Sequence, residues 1–146
     1  MKTIVASFDE SEPAERALRR AADLAEAFDA TVVVAAVAVP PVPGAGVEAL
    51  LPGTSERLAE AATEELNLAD QHLEQARRLL EDRGVRTEYV SLAGAPADRI
   101  LELAEQRRAD LIVVGVTELG FLERLLEGSV TDDVAHGTRR DVLIVH

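Results

Sequence analysis

Cysteine is absent from this chain and lysine nearly so: of 15 basic residues only Lys2 is a lysine, and the others are arginines. Without thiols there is no disulfide, no thiolate metal site and no cysteine nucleophile. Aromatic residues amount to 3% against an apolar fraction of 47%, so a core has to be built from Val, Leu, Ile and Ala. No apolar run approaches the roughly 20 residues that a membrane-spanning helix needs. The N-terminus, MKTIVASFDE, turns acidic too early for a signal peptide. The expectation is a soluble, cytoplasmic protein. Its 146 residues fit a single domain, 1–146, with length for one sizeable core.

Positive charge is also scarce. Fifteen basic residues face 27 acidic ones, a net charge of −12. Such a surface repels nucleic acid and anionic membrane, because phosphate binding needs clustered positive charge. An acidic composition poor in lysine also suits a salt-rich cytoplasm, where screening relieves the self-repulsion. We therefore read the composition as halophilic, against the plainer alternative of an ordinary acidic protein.

What the chain does have is alternation of short apolar runs with helical periodicity. TIVASF, Thr3 to Phe8, reads as a first strand with Asp9 at its carboxyl end. Ser11 is placed to cap a helix and Pro13 to sit in its first turn. Ala14, Ala17, Leu18, Ala21, Leu24, Ala25 and Phe28 then form one apolar stripe. TVVVAAV, Thr31 to Val37, is a second strand. Residues 38 to 54 hold four prolines and three glycines and form a long loop, either a flap over a ligand or simple disorder. Ser55 to Arg83 reads as one long helix ended by Gly84, with Leu58, Ala62, Leu66, Ala69, Leu73, Ala76 and Leu80 as its packing face. Val85 to Leu92 is a third strand. Pro96 starts a helix whose inner face is Ala97, Ile100, Leu101 and Ala104. Leu111 to Val114 is the fourth strand, Ser129 to His136 a short helix, and Val142 to Val145 a fifth strand.

The stretch LIVVGVTELGFLERLLEGSV, Leu111 to Val130, organises the rest. A strand apolar throughout is buried on both faces, as inside a parallel sheet. It ends at Gly115, a loop with Gly120 follows, and Gly128-Ser129 opens the next helical segment. Two readings stand at this point. Either the glycines serve turns and Ser129 caps a helix, or the loop cradles phosphate on free backbone amides. The alternation of strands and helices implies an open five-stranded parallel sheet with helices on both faces. In the order 3-2-1-4-5 the topological switch point falls between strands one and four. Asp9 and Gly115 then share the crevice where such sheets bind ligands.

These residues resemble the universal stress proteins, an adenine-nucleotide alpha-hydrolase-like α/β family, over essentially the whole chain. The matching segments are IVASFDESEPAERAL, GAPADRILELAEQRRADLIVVG, and GSV with VLIVH at the end. The family's pattern of Gly, two residues, Gly, nine residues, Gly-Ser is met by Gly115 and by Gly128-Ser129. Glu118 stands at its middle glycine, with Gly120 two positions later; Ser7 replaces a common proline and Glu10 a common glycine. The resemblance implies ATP, with Mg²⁺. Adenine and ribose would lie near Ser7, Phe8, Asp9 and Val37. The phosphates would run along Gly115, Val116 and Thr117, past Glu118 and Gly120, to Gly128, Ser129 and Val130. A carboxylate at 118 repels a triphosphate unless a Mg²⁺ intervenes, and its side chain hinders close backbone approach. Arg124 is placed to pair with Glu118 or to reach the phosphates itself.

No Ser–His–Asp arrangement has supporting context, and His72 is expected on the solvent face of its helix, with His136 and His146 at a helix end and the chain end. Asp132-Asp133 reads as solvated, and the acidic cluster of a receiver domain is missing. No catalytic residue and no enzyme activity is expected. The apolar strand Val142 to Val145 at a sheet edge invites edge-to-edge pairing of two copies, which the resemblance also implies, although Asp141 stands where the family often has proline. Two functions follow: a regulatory binding protein that takes ATP at the carboxyl ends of strands one and four, or a dimeric interaction protein of the same fold without nucleotide. The halophilic reading predicts a melting temperature that rises steadily through a KCl series from dilute buffer to molar salt; a flat series refutes it.

Overall fold

The computed structural model describes residues 1–41, 50–116 and 140–146. Five parallel strands lie in the order β3-β2-β1-β4-β5, the predicted order. The elements are β1 (Thr3–Ser7), α1 (Glu12–Phe28), β2 (Thr31–Ala38), α2 (Thr54–Leu80), β3 (Arg86–Ala93), α3 (Pro96–Gln106), β4 (Leu111–Gly115) and β5 (Asp141–Val145). The expected helix over 129–136 lies outside the described residues.

The central strands β1, β2 and β4 are almost wholly buried, which is why each reads as an uninterrupted apolar run. The edge strands β3 and β5 mix half-buried and exposed positions. Successive side chains pass to opposite faces. Ile4, Ala6, Val32, Val34 and Val113 pack beneath α1 and α2, whereas Val5, Val33, Ile112 and Val114 pack beneath α3. At its start β4 is tied to β1: the Asp110 carboxylate accepts the backbone N–H groups of Lys2 and Thr3 at 2.7 and 3.0 Å, and the Asp110 N–H donates to the Thr3 carbonyl at 2.8 Å. Those two donors hold the Asp110 carboxyl below the ordinary aspartate range.

Local signals explain the helices. Ser11 caps α1, its hydroxyl oxygen accepting the Ala14 N–H, and Asp29 closes the helix in a left-handed conformation. The buried stripe of α1 includes Ala22 and ends at Ala25; Phe28, expected within it, is exposed on the last turn, where the chain leaves for Asp29. In α3, Leu103 is buried beside Ile100, while Leu101, expected on the inner face, is only partly buried. α2 differs most from expectation. Its buried residues are Ala69, Leu73, Ala76 and Leu80, all in the second half. The stripe continues through Leu66, Ala62 and Leu58, yet these are half-buried or exposed.

Candidate functional site

The carboxyl edge of the sheet has a step in its middle. β1 stops at Ser7, opposite Ala35, while β2 and β3 run on as a pair through Ala36, Val37 and Ala38. On the other side β4 pairs with β1 through Val113 and continues to Gly115. β1, which ends below both neighbours, therefore floors a notch walled by Val37 on one side and by Gly115 and Val116 on the other. This is the switch point at which open α/β sheets take ligands.

Ser7 forms the floor and is buried. Phe8 follows with its N–H donated to the Ala35 carbonyl at 2.9 Å, and its ring is only 1% exposed, among the core residues beneath α1 and α2. Phe8 therefore shapes the notch from below instead of presenting its ring to a ligand. Asp9 stands exposed at the rim, where one carboxylate oxygen accepts both the Ser11 N–H, at 3.1 Å, and the Ser11 hydroxyl, at 2.6 Å. The Ser11 oxygen in turn accepts the Ala14 N–H at 3.3 Å, so the rim acid and the helix cap form one chain of hydrogen bonds. Val37 is half-buried at the end of β2 and packs toward α3.

Gly115 has a role that neither of its two readings anticipated. A Cβ built on it would lie 2.7 Å from the Ala14 nitrogen and the Pro13 carbonyl carbon. The first turn of α1 thus rests directly on the end of β4, backbone against backbone, and only glycine permits it. The Val116 N–H donates to the Val145 carbonyl at 2.8 Å, which extends the β4–β5 ladder past Gly115. Asp9, the capped end of α1, Gly115 and Val116 are therefore brought together. Thr117, Glu118, Gly120, Arg124, Gly128, Ser129 and Val130 lie outside the described residues.

Two residues at the rim were misread or unread from sequence. Glu10 adopts a left-handed backbone with φ of 64°, in the place where a glycine is common in the family it resembles. His72, expected in solvent, is 17% exposed at its side chain and lies 3.9 Å from the Glu10 carboxylate. The α2 stripe carried the missing signal: His72 stands three residues after Ala69 and four before Ala76, both buried, and so lies beside the buried face. Among the described residues no cluster of three metal-ligating side chains occurs. Asp9 and Glu10 leave the rim negative, so an anionic ligand there needs backbone amides and a cation of its own.

The universal stress protein family model matches residues 1–146. The chain belongs to the universal stress protein family. A family relative from Methanocaldococcus jannaschii is 36% identical over 145 residues, covering 99% of this chain and 81% of its own length. A solved universal stress protein in complex with cAMP is 32% identical, with a TM-score of 0.64 and coverage of 99% of this chain and 97% of that one. The universal stress protein of Archaeoglobus fulgidus in complex with dAMP is 25% identical, with a TM-score of 0.63 and coverage of 100% and 98%. Within the described residues no helix is long and apolar enough to cross a membrane.

The contact at Gly115 makes a direct prediction. Gly115→Ala forces the first turn of α1 away from β4 and lowers the unfolding free energy by about 1–3 kcal/mol. Gly84→Ala, where nothing lies within 4 Å of the added carbon, changes it by less than about 0.5 kcal/mol. Urea titrations of the two variants beside the parent measure both, and equal stability of all three contradicts the contact.

Proposed function

We propose that this protein is a non-catalytic regulatory protein that binds an adenine nucleotide, ATP with Mg²⁺, in the notch at the carboxyl ends of β1 and β4. The observation that carries this reading is the adjacency of those two strands, which puts Asp9, the capped start of α1 and the Gly115–Val116 backbone around one opening. Adenine and ribose would lie against Ser7 and Val37. The phosphates would follow Gly115, Val116 and Thr117 to Gly128, Ser129 and Val130. Asp9 would hold the ribose or, through water, the metal ion. Relatives solved with cAMP and with dAMP support an adenine nucleotide as the ligand class.

Mg²⁺ has a defined task here. The rim already carries Asp9 and Glu10, and Glu118 adds a carboxylate at the second motif position. Divalent metal bridges carboxylate and phosphate oxygens and removes the repulsion between them. A second reading is favoured by Glu118 and by the packing role of Gly115: the loop is structural, no nucleotide binds, and the protein acts through its surface alone. In either reading two copies pair through Val142 to Val145, covering the exposed edge of β5 about a twofold axis. The protein works in the cytoplasm.

Titration with Mg-ATP separates the two readings. The parent binds measurably, and Glu118→Gly binds about tenfold more tightly, a difference of about 1.4 kcal/mol. Silence from both proteins, with native circular dichroism, removes the nucleotide reading and leaves the interaction protein. Light scattering in high salt is expected to give the mass of two chains, and Ile144→Lys, a residue exposed on β5, the mass of one; a parent already at the mass of one chain rules out the pairing.

A further inference from the structure

α2 is longer than the sheet it covers. Its 27 residues span about 40 Å, whereas the 8 residues of β2 beneath it span about 26 Å. The helix runs back from the carboxyl edge, and burial along it begins only at Ala69, so its first half projects beyond the ends of the strands. The apolar stripe does not stop there. Leu58, Ala62 and Leu66 continue the spacing of Ala69, Leu73 and Ala76, but without a strand beneath them; Leu66 is 44% exposed. Ahead of the helix Leu51, 52% exposed, lines with Thr54, Arg57 and Leu58 a concavity of about 390 Å³.

Leu51, Leu58 and Leu66 with Ala62 leave apolar surface partly in water at this end of the helix, and contiguous apolar surface of this kind marks interaction sites. Its charge says what fits. Between Thr54 and Asp70 the acidic residues are Glu56, Glu60, Glu64, Glu65 and Asp70, against Arg57 alone. By helical spacing Glu65 borders one side of the stripe and Asp70 the other, while Glu56, Glu60 and Glu64 lie round the helix from it. Arg57, whose Nε donates to the Gly53 carbonyl at 3.4 Å, stands in the first turn, two turns or more before Glu65 and Asp70. A second copy of the same face would bring another Glu65 and Asp70 against these, which like-charge repulsion opposes.

We propose that the overhanging half of α2 docks a cationic amphipathic helix of another protein, leucine-type side chains on its stripe and Lys or Arg against its acidic borders. The straight stripe of Leu58, Ala62 and Leu66 matches the contact line of one helix laid against another. The borders supply orientation and selection against acidic partners. This proposal does not depend on nucleotide, and its test is done without any.

The probe is a labelled synthetic 18-residue peptide with leucines at helical spacing and lysines elsewhere. Two controls keep half of its chemistry each: Ala in place of Leu, and Glu in place of Lys. Fluorescence anisotropy is expected to show binding of the Leu/Lys peptide only. The double variant Leu58→Ser with Leu66→Ser, both on the projecting half, weakens it by about tenfold or more at unchanged melting temperature. Glu65→Lys with Asp70→Lys also weakens it and admits the Leu/Glu peptide. No binding by the parent, equal binding of the Ala/Lys peptide, or an unaffected leucine double variant overturns the proposal. So does a leucine double variant whose mass in light scattering falls to half that of the parent, because a second copy would then be the occupant.

Discussion

The backbone of Gly115 lies against that of Pro13 and Ala14 with no room for a side chain between them. Most of the architecture at the carboxyl edge depends on that contact. It sets the start of α1 directly over the end of β4, so that the loop leaving β1 is short and turns sharply through Asp9 and Glu10. The turn is held by the Asp9 carboxylate on Ser11 and by the Ser11 oxygen on Ala14. Interiors packed at crystal-like density have no slack to absorb even one methyl group at such a point. The first glycine of a phosphate-loop pattern is thus required by the fold whether or not phosphate binds.

Around that contact helices lie on both faces of the sheet. α1 and α2 cover one face and α3 the other, and the two apolar clusters divide the strands residue by residue. Parallel strands need this double cover. Because β1 is shorter than its neighbour β2, the cover leaves a notch at the centre of the carboxyl edge. The floor of the notch is Ser7, and its walls are the ends of β2 and β4, which reach past it. The opening is therefore a consequence of strand lengths and of the order in which they pair.

Electrostatics act on this frame in two ways. Structural acids are engaged locally: Asp110 on the N–H groups of Lys2 and Thr3, and Asp23 and Glu26 of α1 on Arg83, at 2.7 Å each. Arg83 holds the Glu26 carboxyl below the usual glutamate range, first by its hydrogen bond and then by its charge. The remaining excess of acid lies at the surface, and Asp9 and Glu10 bring part of it to the rim of the notch. On the projecting half of α2 the same excess frames an apolar stripe.

The strand order and the alternation of elements were legible in the residues, and the boundaries fell within a few positions of those expected. Strands buried on both faces must be apolar without a break, and Gly and Pro mark where they stop. Asp9 and Gly115 were legible as neighbours for the same reason, since the order of strands follows from few allowed crossovers. Helical period, by contrast, tells which residues share a face and not what lies opposite that face. Phe28 and Leu66 share the apolar stripes of α1 and α2 yet meet water, because each stands past the last strand beneath its helix. His72 was assigned to solvent and lies instead beside Glu10. The glycine at 115 was visible as a glycine, but its reason was not. That reason is a contact between segments a hundred residues apart, and such a distance is set by how helix and strand pack, a property no local pattern of residues contains.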